Sequence, residues 1–350
     1  MPCFAVAPES VVGQSDRPRR LRPELHSPHA VALLLATLLA LAAGCKKSDG
    51  LFELIDPLEL PPCDPRTWSR FGHGPGQLSF PRAIAAGPTG SVYVADFGNN
   101  RIEEFSPVGQ YLREISMTGG ATGRLELPTG VAIAPDSTLL VADTGNDRIV
   151  KFSRDGGWLA AWGEVNIGEP LFDAPSSIAI SRQGIVYVVN RDWDEIRSFT
   201  LEMAPINRWG RRGSLPRQFE VPTAVAVDND GFVYVTDTEN HRVQKFFSDG
   251  RIVAVWGRVG SGPGEFFLPQ GIAIDSCGNV YVADTGNHRI QKFKSGGPLI
   301  KLLEGPGNEP GQFASPRGLA IDRDGSLLVA DSDNSRIQRF PACDDSCAPQ

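Results

Sequence analysis

The chain is poor in histidine, with five among 350 residues, and two of those, His26 and His29, lie in its first thirty positions. A zinc centre needs three or so good ligands, so imidazole alone supplies little here. There is no GxSxG elbow, no phosphate-binding glycine loop, no Cys/His pair and no paired CxxC module. Positive charge is also short: 34 Lys and Arg against 41 Asp and Glu give a net charge of -7. That balance supplies no general attraction to nucleic acid or to anionic lipid, because holding phosphate takes clustered cations. No segment keeps a helical period. The longest apolar run, Ala30 to Ala43, is interrupted only by Thr37. As a helix it rises about 21 Å, short of the ~30 Å hydrocarbon core.

What is present is a repeat. The stretch Gly271 to Phe293, GIAIDSCGNVYVADTGNHRIQKF, has five further copies, and its Asp284 corresponds to Asp96, Asp143, Asn190, Asp237 and Asp331 at a constant spacing of 47. A fixed period in this range marks a propeller, a solenoid or an array. Each unit holds four short β-branched and aromatic runs bounded by Gly, Asp and Asn, which predicts a four-stranded antiparallel meander. The 38 Gly and 28 Pro then belong to turns, since 41% hydrophobic residues suffice for a core. Asp228-Asn-Asp-Gly231 and Asp322-Arg-Asp-Gly325 read as such turns. As half calcium loops they lack the bidentate Glu that would complete them.

Before the array, a basic run from Arg17 to Arg22 and the apolar Ala30 to Ala43 read as a signal peptide. It ends LAAGC at Cys45, which resembles the lipobox of bacterial lipoproteins, with Ala42 where Leu is usual. The resemblance implies lipidation of Cys45 and, with Lys46 following, an outer-membrane lipoprotein facing the periplasm or cell surface. An ordinary secretory signal is the alternative. The expected organisation is residues 1–44 signal, 45–62 tether and 63–350 repeat domain. In an oxidising compartment Cys63, Cys277, Cys343 and Cys347 are candidates for bridges.

The termini decide between an open stack and a ring. The sixth repeat stops after its third strand at Phe340, and its missing fourth strand aligns, six periods upstream, on Trp68. A strand displaced this way is useful where first and last sheets meet, closing the ring and protecting its edges. A bridge from Cys63 to Cys343, with Cys347 as competing partner, would lock that seam. Strands ending in Asp, then xGNxRI and a strand ending in Phe, resemble the NHL repeat, over about Thr67 to Phe340. The resemblance implies an all-β, six-bladed propeller of four-stranded antiparallel blades, with Phe105, Phe152, Phe199, Phe246, Phe293 and Phe340 packing between blades.

Polar groups that recur in every copy, such as Asp284, Asn287 and Arg289, are assigned to hydrogen bonding within the blade. The third copy departs, reading Asn190-Arg-Asp-Trp-Asp-Glu-Ile196. Its Trp193 is either an exposed contact residue or a sign of erosion, erosion being preferred. Family likeness places the residue after each repeat Pro at the upper mouth of the channel: Arg82, Thr129, Ser176, Thr223, Gln270 and Arg317. Closure makes Arg82 and Arg317 neighbours, a pair suited to a carboxylate or phosphate. Amidating lyases of this family carry zinc-binding His at such positions and lactonase-like propellers hold calcium with isolated acids; neither pattern is here. His241 and His288, on adjacent blades, are weak metal candidates and read better as exposed loop residues. The expected role is a monomeric, lipid-anchored binding or scaffold propeller for an envelope protein, peptide or glycan, without cofactor and without nucleic acid. The alternative is an extracytoplasmic lyase or hydrolase with a divalent metal in the channel. The RNA-binding and ubiquitin-ligase roles of animal NHL proteins fit neither the export signal nor the acidic balance.

Overall fold

A computed structural model of the chain describes residues 65–117, 123–163, 171–303 and 305–342, all within the compact unit Pro62–Gln350. Cys45, Cys63, Cys343 and Cys347, the leader and the tether lie outside these residues. The described strands group into six four-stranded antiparallel sheets, five of them built from consecutive strands. The sixth joins Pro316–Ile321, Leu327–Asp331 and Arg336–Phe340 to Arg66–Trp68 from the other end of the chain. Arg66 faces Arg339 and Trp68 faces Ile337, so the strand expected from the Trp spacing does complete the last blade and close the ring. Across the seam Trp68 packs on Gly109 of blade one, where a Cβ would stand 2.3 Å from the indole; the φ of +84° also suits only glycine there.

The second strand of each blade, VYVAD at Val92–Asp96 and Val280–Asp284 for example, is buried along its whole length. Both faces meet neighbouring blades, which explains a near-continuous apolar sequence in an antiparallel sheet. Six apolar clusters fill the interfaces between blades, each drawing on two adjacent sheets. Phe105, Phe152, Phe199, Phe246 and Phe293 are all buried in them and Phe340 packs against the cluster between blades five and six. Cys277, in the turn between the first two strands of blade five, is disulfide-bonded.

Candidate functional site

The repeated polar residues build the blades. In blade five Asp284 Oδ1 accepts the Phe267 N–H at 2.7 Å. Its Oδ2 accepts from Asn287 at 2.9 Å, Arg289 Nε at 2.7 Å and Gln291 Nε2 at 2.9 Å. Arg289 then donates to the backbone oxygens of Ser261, Gly262 and Glu265, pinning the loop that enters the inner strand. The same arrangement recurs around Asp237 and Asp331, and around Asp96 without the Gln donor. These groups are consumed by structure, as their repetition implies.

The residue between Asn and Arg in this motif does something the sequence did not reveal. Asn100, Asp147, Asp194, His241, His288 and Ser335 all take left-handed backbone, φ 51° to 56°. Each side chain accepts an N–H from the next blade: Leu127 at 2.7 Å, Ala174 at 2.7 Å, Val221 at 2.8 Å, Leu268 at 3.1 Å, Ser315 at 3.0 Å and Phe80 at 3.4 Å. The two imidazoles therefore use Nδ1 as a latch acceptor, and they are half-buried rather than exposed loop residues. The pattern is hard to read because Asn, Asp, His and Ser share only an acceptor atom and tolerance of a turn.

Blade three is rewired rather than eroded. Asn190 replaces the repeat Asp, and its Oδ1 still accepts the Asp173 N–H at 2.7 Å. Glu195 stands at the Arg position, where it accepts from Asn190 at 3.2 Å and from Arg197 at 2.5 Å. Arg197, at the Gln position, holds the entry loop through Leu171 O at 2.7 Å. Its guanidinium lies 4.7 Å over the ring of Trp193, which is half-buried.

The six predicted channel-mouth residues do converge, lining one cavity of about 120 Å³ at the axis. Close approach of the inner strands makes it narrow: a Cβ on Gly271 would stand 1.6 Å from Arg317 O, and one on Gly318 2.8 Å from Arg82 O. The ring is not uniform, however. Thr129 Oγ1 donates to Ser176 O at 3.0 Å, Ser176 Oγ to Thr223 O at 3.0 Å and Thr223 Oγ1 to Gln270 O at 3.3 Å, each across to the next blade. Gln270 Oε1 accepts from Arg317 Nη1 at 2.5 Å. Arg82 lies with its guanidinium carbon 4.2 Å from the centre of the Phe97 ring. The Nε atoms of Arg82 and Arg317 are buried without a hydrogen-bond partner.

A third cation, Arg191, which the sequence analysis does not place at the mouth, also lines the cavity. Arg191 follows the repeat Asp position, where blades two, four and five carry Thr144, Thr238 and Thr285. Those hydroxyls donate to Pro175, Pro269 and Pro316 O of the following blade, each at 2.7 Å. At the same position blade one has Phe97 and blade six Ser332, whose hydroxyl is buried and unpaired. Burial, then the Arg317 charge and more weakly that of Arg191, pull Arg82 down to about 10, against a smaller opposing effect of Asp333. Burial likewise lowers Arg317, with Asp333 opposing. Asp333 itself accepts from Ser315 Oγ at 2.6 Å. Among the described residues no three metal-ligating side chains come together.

Several solved structures share the fold. A streptogramin B lyase is 14% identical with TM-score 0.57, the match covering 79% of this chain and 96% of that one. A gluconolactonase from Xanthomonas campestris is 16% identical with TM-score 0.57, covering 76% and 88%. An auxiliary nutrient binding protein from Bacteroides ovatus is 13% identical with TM-score 0.58, covering 79% and 76%. No curated protein matches the chain by sequence. The NHL repeat model matches residues 78–105, 219–246, 268–293 and 313–340, in blades one, four, five and six. With the spacing, the ring and these matches together, the chain is a six-bladed β-propeller that carries NHL repeats in four of its blades.

Proposed function

We propose that this propeller is a lipid-anchored, extracytoplasmic binding protein that acts as a monomer and recognises an envelope protein, peptide or glycan through the channel mouth and the loops around it. The observation that carries the reading is the contrast within the mouth. Thr129, Ser176 and Thr223 are spent on wiring one blade to the next, whereas Arg82 and Arg317 keep buried N–H groups without partners. Around them the loops entering the inner strands expose Phe71, Phe80, Leu215, Val259 and Phe267, apolar area available to a partner. Pulldown from envelope extract with wild type and with Arg82→Ala/Arg317→Ala tests the site: the double variant loses its partner, and an unchanged partner list rejects it. Anchoring is checked separately, since Cys45→Ala is expected to leave the membrane fraction.

A second reading, a lyase or hydrolase with a divalent metal in the channel, draws on the likeness to the streptogramin B lyase and the gluconolactonase. The fold hosts binding proteins as well, so likeness at this identity does not decide. Zinc or calcium retained through purification, or activity gained on adding either, would favour the enzyme.

A further inference from the structure

Resting on that binding role, we infer that the side of the mouth between blades six and one is a carboxylate site, in which Arg82 and Arg317 hold the two oxygens of a carboxylate at the end of the ligand and Arg191 adds a third cation. Thr129, Ser176 and Thr223 donate their hydroxyls to backbone oxygens of the next blade, whereas the buried N–H groups left without partners at the mouth are those of Arg82 and Arg317. Phe97 supports the Arg82 plane from one face, a fixed pose that leaves its N–H edge unpaired. Gln270 fixes Arg317 through one nitrogen only. Planar guanidinium forks fit a planar carboxylate in two-point contact, and a site partly removed from water strengthens that contact.

Charge points the same way. Arg82 and Arg317 both feel Asp333, yet no ion pair joins either to a carboxylate among the described residues. Two positive charges against one shared negative charge leave one to be met, which a single carboxylate does. Arg191 has its own partner, donating Nε to Asp192 at 2.7 Å, and so serves as a supporting charge. The depressed Arg82 is what an uncompensated buried cation pair produces. At about 120 Å³ the cavity admits a terminal group while the rest of the ligand stays outside on the loops.

The test is calorimetric titration of the full-length protein with succinate, inorganic phosphate and neutral succinamide, with thermal unfolding alongside. Each Arg is replaced by a residue that sibling blades carry at the same position: Arg82→Thr, Arg317→Gln and Arg191→Thr. Succinate is expected to bind saturably at one site and raise the unfolding temperature, phosphate more weakly and succinamide not at all. Arg82→Thr and Arg317→Gln should each weaken succinate at least about tenfold, and Arg191→Thr roughly threefold, since hydrogen bonds to charged groups exceed purely electrostatic support. Unliganded, all three should unfold at or above the wild-type temperature, which separates lost binding from lost folding. Absence of saturable succinate binding, undiminished binding in Arg82→Thr and Arg317→Gln, or tighter phosphate than succinate overturns the inference. Arginine-dependent partner capture without succinate binding would overturn it while leaving the binding role intact; succinate binding with unchanged capture would do the reverse.

Discussion

Glu103 shows how much one departure from the repeat can matter. Blades four, five and six carry Gln244, Gln291 and Gln338 at its position, each donating its amide to the repeat Asp and to a loop carbonyl. A carboxylate has no proton to donate, and Glu103 Oε2 is buried without a partner. Burial first, and the neighbouring Asp96 charge, push it from the usual 4.5 to about 7, even with Arg101 Nη2 at 2.8 Å. Because the folded value lies above the unfolded one, its contribution to stability is full below pH 4.5, declines across 4.5 to 7 and is lost above. Glu103→Gln should therefore gain on the order of 2 kcal/mol over wild type between pH 5 and pH 8 in urea unfolding. Parallel curves for the two proteins would show that Glu103 is not protonated in the fold. The latches permit a second comparison: His241→Asn, with the residue blade one uses, should hold stability, while His241→Ala should lose about 1 kcal/mol as the Leu268 N–H goes unpaired. Equal loss in both would remove the latch. Neither effect was legible beforehand, because each depends on which atom faces a donor.

At the scale of the blade, the period gave strand order, turns and the packing Phe directly, since four apolar runs in register have few ways to fold. The three changes in blade three are meaningful only together, which a position-by-position comparison with the repeat does not show. Asn190 lacks the negative charge of the repeat Asp, Glu195 puts a negative charge where the repeat has a positive Arg, and Arg197 takes over the loop contact. Asn190→Asp alone should destabilise by about 1–3 kcal/mol by setting a second carboxylate beside Glu195, and Asn190→Asp/Glu195→Arg/Arg197→Gln should recover most of it. Additive losses in thermal or urea unfolding would show that the three positions are independent. Ser332 gives a simpler case. Ser332→Thr supplies the side chain that donates to Pro O in blades two, four and five, and should add about 1 kcal/mol if its hydroxyl reaches Pro81 O. No gain in urea midpoint would mean the seam spacing forbids the bond.

Across the whole molecule, apart from the rewired blade three and Glu103, the departures gather at the seam. The longest latch, from Phe80 to Ser335, the unpaired Ser332 hydroxyl, Phe97 in place of Thr and the Arg82–Arg317 pair all lie where the last blade meets the first. Ring closure was readable from a Trp six periods early, and so was the pairing of these two Arg; the loose wiring around them was not, because it appears only against the bonds the other blades make. What repeats builds the ring, and under the proposed function the unrepeated Arg82 and Arg317 bind. The direct measurement compares envelope-partner capture and unfolding temperature for Arg82→Thr/Arg317→Gln and for Asp284→Ala. The mouth variant should lose capture while keeping its unfolding temperature, and Asp284→Ala, which strands Arg289, Asn287 and the Phe267 N–H, should unfold several degrees lower. Capture unchanged in a folded Arg82→Thr/Arg317→Gln protein would contradict the account.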